Sequence, residues 1–369
     1  MLIGIDASRS TAAERTGTEN YSLSLIRALL DLDHRNHYRL YFNQPPATRL
    51  FPEPSNAESK VMPFPRLWTH VRLMWEIARN PPDVLFVPAH VLPVAHPPRS
   101  VVTVHDLGYL YFPEAHTPLS RRYLDITTRY HARAATHLLA DSEATKRDLV
   151  EHYGAGTDAV TVVYPGRGTE FAPVAFAKAR SEVRDRYGIR EEYILHLGSL
   201  QPRKNLERLL DAFAMLQERQ DLHLVLAGKK GWLYEPLFKH VRESGLEARV
   251  RFVGYVPQAD LPALISGARL LAFPSLYEGF GFPVLEAMAC GTPVVCSNTS
   301  SLPEVAGDAA LLVDPTNARD LAHAISRVLE DGALAQELAQ KGLRRANQFS
   351  WERCAAQSLA VLERAGRSL

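Results

Sequence analysis

Cysteine is scarce in this chain of 369 residues: there are 3, Cys290, Cys296 and Cys354, with no C-x-x-C pair. An odd, sparse set builds neither a disulfide framework nor a zinc site and suits a reducing compartment. Charge of one sign is missing too. Lys and Arg number 42 against 41 Asp and Glu, a formal net charge of +1, where a dedicated nucleic-acid binder is clearly basic. No run approaches the roughly 18 consecutive apolar residues of a transmembrane helix. The opening "MLIGIDAS" has no charged leader segment and reads as a first strand, not a signal peptide. No G-x-G-x-x-G follows a strand, since "GFGFPV" lacks the third glycine, which disfavours a nicotinamide dehydrogenase; no G-x-x-x-x-G-K-[ST] is present, which excludes P-loop chemistry. The one D-x-D, Asp31-Leu32-Asp33, sits at a helix end beside His34 and Arg35. A metal-diphosphate site should follow a strand, so this pair reads as surface. The expectation is a cytoplasmic protein with no metal site and no nucleic-acid partner.

What is present is the mix of a soluble globular protein, 46% apolar and 22% charged. The length exceeds one ordinary core, so two domains are expected. Apolar strands alternate with helical stretches: "LIGID", "HYRLYF", "DVLFVP", "SVVTV", "THLLA" and "AVTVVY", then "YILHLGS", "LHLVLAG", "RVRFVG", "ARLLAFPS", "TPVVCS" and "AALLVD". Strands this apolar are buried on both faces, and the alternation builds parallel βαβ units. The fold class is α/β, two Rossmann-like doubly wound sheets in tandem. Two prolines and two glycines crowd "YPGRGTEFAP", residues 164–173, which marks the joint. The domains then run 1–168 and 169–351, with a closing amphipathic helix at 352–368. Ligands of such sheets bind outside the carboxyl ends of the strands, and four motifs sit there.

In "PSLYEGFGFPVLEAMACGTPVV", residues 274–295, a glycine-aromatic loop runs into a short helix. Gly279 and Gly281 remove Cβ atoms that would keep a ligand at a distance, and Phe280, Phe282 and Pro283 lead into the helix, with Pro283 placed as its first residue. Free N–H groups and the positive dipole end there suit a phosphate. Glu286, expected in the first turn, can accept from a vicinal diol such as a ribose, and Glu278 from hydroxyls of another ring. The plain alternative is a solvated Glu278 and a Glu286 that only complements the helix dipole.

The second motif, "LHLGSLQPRKNLERLLDAF", ends a strand at Gly198 and places Arg203 and Lys204 just before a helix beginning near Asn205. Cations there oppose the dipole and suit a departing diphosphate, Arg as a bidentate grip and Lys as a point charge; a solvated charge pair is the alternative. The third is "SVVTVHDLGY", with His105 directly after a strand and Asp106 beside it. His105 fits a catalytic or substrate-orienting group, or a structural histidine; Asp106 fits a loop cap as well. The fourth, "GIDASRSTAAERTGTENYSL", places Gly17 and Thr18 before the first helix, where a substrate can approach.

These motifs together resemble the retaining glycosyltransferases of family 4, over nearly the whole chain and in the family's order, through "LAGKKGW", "VRFVGYVPQADLPALISGA", "SLPEVAGDAALLVDP" and "FSWE". The E-x7-E pair Glu278 and Glu286 is the most specific sign. The resemblance implies the GT-B fold, two Rossmann-like domains facing a deep cleft. It implies that Glu278 contacts hydroxyls of the transferred sugar, Glu286 holds the nucleotide ribose, and Arg203 with Lys204 holds the donor diphosphate. His105 would face the reacting sugar, Gly228 and Tyr255-Val256 would line the base pocket, and the final helix would cross back to the N-terminal domain. The first loop departs from the family's glycine-rich stretch, so the acceptor-side role of Gly17 and Thr18 is less marked.

A metal-independent hexosyl transfer follows, with front-face attack and a diphosphate oxygen taking the acceptor proton. "HDLGYLYFPEAH" and "LAGKKGWLYEPL" most resemble members that use GDP-mannose, with a UDP-sugar as runner-up. The acceptor is a glycan, a glycolipid or a polysaccharide. A nucleotide-sugar epimerase and a silent sugar-binding subunit are the other classes. Finally, "PRLWTHVRLMWEIARN", residues 65–80, is expected to put Leu67, Val71, Met74 and Ala78 on one helical face beside Trp68 and Trp75, with Arg66, Arg72 and Arg79. Such a helix can lie on an anionic membrane that presents a lipid-linked sugar, or simply cover the first sheet.

Overall fold

In the computed structural model the described residues are 1–12, 17–46, 50–51, 55–89, 91–216, 218–231 and 234–367. Ala13, Glu14, Arg15, Thr16, Trp232 and Leu233 of the quoted motifs, and residue 368 of the expected closing helix, lie outside them. The chain forms two compact units. One comprises Met1–Leu107, Thr117–Gly166 and Phe349–Leu369; the other comprises Gly108–His116 and Arg167–Gln348. The short segment after His105 thus belongs to the second unit, which no linear division of the sequence anticipates.

The first unit holds seven parallel strands: β1 (Leu2–Asp6), β2 (His37–Phe42), β3 (Ala57–Val61), β4 (Val84–Val87), β5 (Ser100–Val104), β6 (His137–Ala140) and β7 (Val160–Val162). Their order is β3-β2-β1-β4-β5-β6-β7. All residues of β4 and β5 are buried, as expected of strands covered on both faces. Helix Gly17–Leu32 turns Tyr21, Leu25, Ile26 and Leu29 inward, a helical spacing that makes one apolar stripe. The closing helix Trp351–Arg367 packs against it and buries Cys354, Ala355, Leu359 and Leu362 in the same core. Each buried leucine there contributes roughly 1.5–3 kcal/mol.

Two readings of this half change. β3, "AESKV", was not foreseen: it is a polar edge strand that pairs only with β2, so no apolar run announces it. Asp33 of the D-x-D is not a surface group. It is buried, and its carboxylate accepts from Asn36 Nδ2 at 2.7 Å and Tyr38 Oη at 2.6 Å, closing the turn into β2.

The second unit holds six parallel strands: β8 (Glu192–Leu197), β9 (Leu222–Ala227), β10 (Val250–Gly254), β11 (Leu270–Phe273), β12 (Val294–Ser297) and β13 (Leu311–Val313). Their order, β10-β9-β8-β11-β12-β13, reverses direction between β8 and β11. That reversal opens a crevice at the carboxyl ends of those two strands, the usual ligand position in a doubly wound sheet.

Candidate functional site

Gly198 follows β8 and Glu278 follows β11, so both flank the reversal point of the second sheet. Arg203 and Lys204 lie in a 3-10 turn, Pro202–Lys204, just ahead of helix Leu206–Ala214. Asn205, at φ +57, ends that turn, and its Nδ2 donates to Pro274 O at 3.1 Å and Pro315 O at 2.6 Å. The basic turn is thereby tied to the loop after β11. Lys204 Nζ then donates to Glu278 Oε1 at 2.5 Å, and Arg203 Nη1 donates to Glu278 Oε2 at 3.1 Å and Tyr277 O at 3.0 Å. Glu278 and Lys204 are both buried. Burial opposes the charge on Glu278, but the two cations outweigh it and hold the carboxyl down at about 2. Neither cation is a solvated surface group.

Beneath this triad sits His196, fully buried and stacked on Phe273 at 5.5 Å. Its Nδ1 bonds Ala272 O at 3.1 Å, and burial together with Lys204 pulls it down to about 4, so it is neutral. Three glycines mark the carboxyl ends of β8, β9 and β10. Gly198 N donates to Ala227 O and Gly228 N to Gly254 O, each at 2.8 Å. A Cβ on Gly228 would stand 1.9 Å from Gly198 O, so this ledge admits no side chain there. Beside it Tyr255 is exposed under Lys229 Nζ, 4.8 Å from the ring centroid, and Val256 is buried.

Helix Phe282–Ala289 starts one residue earlier than expected, with Gly281 as its N-cap at φ +112 and Pro283 second. Only glycine takes that φ without strain, and a Cβ would also meet Leu302 at 2.7 Å. Glu286 therefore falls in the second turn, not the first. Burial and the nearby Glu170 push its carboxyl up to about 8. The loop before the helix is latched from the segment after β12: Ser300 Oγ accepts from Glu278 N at 2.9 Å, and Ser301 Oγ, 2.9 Å from Glu278 O and 2.7 Å from Phe280 O, shares its one hydrogen between them. Gly279 and Phe280 are buried in that latched loop. Sequence reading missed both serines, although "SNTSS" directly after a strand is the signal for them.

In the first unit, His105 follows β5 and Asp141 follows β6, and Val104 and Ala140 are register partners in those adjacent strands. His105 Nδ1 lies 2.6 Å from Asp141 Oδ2 and Nε2 lies 3.0 Å from Pro88 O. Tyr21 meets the imidazole edge-on at 4.7 Å. Asp141 was not anticipated. Asp106 is exposed; Gly17, exposed, and Thr18, partly buried, open the helix that carries Tyr21. The structure thus gathers Gly198, Arg203, Lys204 and Glu278 in one unit, with Gly228 and Tyr255-Val256 on the adjoining strand ends, while His105, Asp106, Gly17 and Thr18 belong to the other.

Residues 65–80 are not one regular helix. Thr69–Leu73 is a π-turn that continues as helix Met74–Arg79. Leu67, Val71 and Ala78 of the expected face point outward together with Trp75, Met74 is partly buried, and the inward face is Trp68, Leu73, Glu76 and Ile77. Trp68 Nε1 donates to Met62 O at 2.8 Å, a structural role. Trp75 is 49% exposed and lies between the guanidinium groups of Arg72 and Arg79, at 5.1 and 4.4 Å. His70 Nε2 meets Tyr123 Oη at 3.3 Å, joining this stretch to helix Pro118–Ala134, which exposes Leu119, Tyr123 and Ile126. Among the described residues, no helix is long and apolar enough to cross a membrane, and no cluster of three His, Cys, Asp or Glu is placed to hold a metal.

Residues 179–345 match the family described as Glycosyl transferases group 1, and residues 15–171 match Glycosyltransferase Family 4. The O-antigen chain mannosyltransferase B of Escherichia coli is 35% identical over 263 residues, 71% of this chain and 69% of that protein. The serotype-specific mannosyltransferase WbdA of Escherichia coli is 33% identical over 222 residues, 59% of this chain and 27% of WbdA. Among solved structures, Anabaena HepE in complex with UDP and glucose aligns with a TM-score of 0.75 at 21% identity, covering 98% of this chain and 99% of that one.

Proposed function

The chain belongs to the family 4, group 1 glycosyltransferases, with two Rossmann-like sheets of the GT-B kind, and from that premise we propose that it moves mannose from GDP-mannose, with retention, onto a glycan or lipid-linked sugar. The single observation that carries the reading is the ion-paired triad of Arg203 with the buried Lys204 and Glu278 at the reversal point of the second sheet. A diphosphate competes for the two cations, and the sugar's hydroxyls donate to the carboxylate they release. Glu286 accepts from the ribose hydroxyls, Gly198, Gly228, Tyr255 and Val256 border the base, and the N–H groups of Gly279, Phe280, Gly281 and Phe282 support the phosphates where Pro283, which has no N–H, opens the helix. Mannose is favoured over other hexoses by two relatives named as mannosyltransferases. A UDP-sugar is the alternative donor.

In the reaction, the acceptor O–H attacks the anomeric carbon as the bond to the diphosphate oxygen breaks. The leaving diphosphate departs on the face of the sugar that the acceptor approaches and takes the acceptor proton there, and Arg203 and Lys204 stabilise the charge that develops on it. Those two cations make a metal unnecessary for charge neutralisation. The exposed aromatic and basic surface of residues 65–80 favours a peripheral position at the cytoplasmic face of a membrane, where a lipid-linked acceptor would be met.

A thermal-shift titration with GDP, UDP and ADP, without metal, tests the donor. A ligand that binds only the folded state at a hundredfold excess over its Kd stabilises by roughly 2.7 kcal/mol. A shift with GDP alone supports mannosyl transfer; a shift with UDP alone overturns the donor and keeps the class. No shift with any of the three speaks for a silent subunit, and conversion of donor without acceptor, followed by NMR, speaks for an epimerase.

A further inference from the structure

The contacts of His105 fix how many protons it carries. Pro88 O is a carbonyl and can only accept, so the Nε2 atom 3.0 Å away must carry a hydrogen. Nδ1, 2.6 Å from Asp141 Oδ2, shares a second proton with that carboxyl. The pair therefore holds one proton more than a neutral imidazole beside a carboxylate, whether that proton sits nearer nitrogen or oxygen. The geometry is set by the sheet: Pro88, His105 and Asp141 directly follow β4, β5 and β6, three neighbouring parallel strands. Thr145 Oγ1 donates to His105 O at 3.3 Å, which fixes the main chain as well. Asp141 is 3% exposed, and its second oxygen, Oδ1, is buried with no hydrogen-bond partner, so burial pushes the Asp141 carboxyl up and the contact with His105 opposes that shift.

We propose that Asp141 is a positioning residue that keeps both nitrogens of His105 protonated, so that His105 enters the transfer as a hydrogen-bond donor and not as a base. The His105 side chain is 20% exposed, and its Nε2–H is the group that can pass from Pro88 O to an oxygen of the sugar or leaving group. That role rests on the glycosyltransferase reading above, and it agrees with a mechanism in which the diphosphate removes the acceptor proton. The other ionisable groups facing the pair are Asp106 on the same loop, Tyr21 from the first helix and Cys354 from the closing helix. Burial pulls the imidazole down, but Asp141, helped by Asp106, outweighs it and leaves His105 above its ordinary range.

The test has two arms. In the first, the full chain labelled with 15N-histidine is studied by NMR at pH 7, with His105 assigned by the signal lost in His105→Gln. Both ring nitrogens protonated in the native chain, and one unprotonated in Asp141→Asn, is the expected result. An unprotonated ring nitrogen in the native chain at pH 7 overturns the proposal and needs no variant to fold. In the second, transfer is followed from pH 6 to 8.5. The native profile is expected to hold its rate to a higher pH than that of Asp141→Asn. Asp141→Asn should lose roughly tenfold to a hundredfold at pH 8, as when partners that orient metal-bound imidazoles are removed, and recover toward pH 6 as the imidazole protonates near 6.5. An Asp141→Asn enzyme with native rate and native pH profile overturns the proposal while leaving the glycosyltransferase reading intact. A native chain that transfers no sugar but shows a doubly protonated His105 supports the assignment of Asp141 and sinks the reaction assigned to the site.

Discussion

Lys204 Nζ lies 2.5 Å from Glu278 Oε1, and both side chains are buried, 74 residues apart in sequence. Removing one partner of such a pair strands the other charge in a poor solvent, at a cost of roughly 3–5 kcal/mol. Here Arg203 still faces Glu278, so the lower end applies to Lys204→Met. That variant should melt several degrees lower and transfer sugar at least ~10²-fold more slowly, because a donor to the leaving group is gone. Lys204→Met with Glu278→Gln should regain part of the melting temperature and none of the rate. Near-native turnover of either single variant would remove the triad from the mechanism.

Glu286 is shifted the other way. Its carboxyl is raised to about 8 by burial and by Glu170, so the folded chain binds a proton that the unfolded chain releases near 4.5. Stability is then fullest below that value and falls as the pH rises toward 8. Glu286→Gln has no proton to lose, so its melting temperature should decline less than that of the native chain between pH 5 and 8.5. If a ribose diol donates to this carboxyl, nucleotide binding at pH 7 should release a proton, read by calorimetry in buffers of different ionisation enthalpy. Binding without proton release would take Glu286 away from the diol.

The elements that were legible in the sequence are those whose signal is local. "VLFV" and "LHLVLA" are buried on both faces and announce themselves by composition, whereas polar "AESKV" at a sheet edge does not. The basic turn and the two glutamates were visible as residues, but the partner of each was not. Lys204 and Glu278 meet only because β8 and β11 are neighbours, and His105 and Asp141 only because β5 and β6 are. Asp141 reads in sequence as the residue before the Ser142 N-cap and nothing more. In the stretch 65–80 the shared face of Leu67, Val71 and Ala78 was legible, but the inward set was not: a π-turn takes an extra residue per turn, and no regular helical period brings Trp68, Leu73, Glu76 and Ile77 together as the buried face.

Gly228 offers a test of the ledge formed by the strand ends. Its φ is +153 and an added Cβ would lie 1.9 Å from Gly198 O, a backbone atom that cannot swing aside. Gly228→Ala must therefore part β8 from β9 at their carboxyl ends. Nucleotide affinity should fall at least tenfold together with the melting temperature. Gly332→Ala, in helix Gly332–Ala346 with open space around the Cβ, should leave affinity unchanged and serves as the control. Unaltered nucleotide binding in Gly228→Ala would place the base elsewhere.

The two tryptophans of residues 65–80 should separate fold from surface. Trp68 is 7% exposed and hydrogen-bonded to Met62 O, so Trp68→Ala should destabilise the first unit by roughly 3–5 kcal/mol. Trp75 is half exposed between Arg72 and Arg79, with Leu67 beside it 70% exposed at φ +56, a backbone conformation that costs a leucine energy and presents it to solvent. Trp75→Ala should leave the melting temperature within a degree or so and reduce flotation with vesicles containing anionic lipid. Arg72→Ala with Arg79→Ala should do the same, and added salt should mimic it, since attraction of a basic surface to anionic headgroups is screened. Native chain that fails to float with anionic vesicles at low salt would reduce this surface to a cover for the first sheet, and flotation unchanged by Trp75→Ala would move the membrane contact to another face.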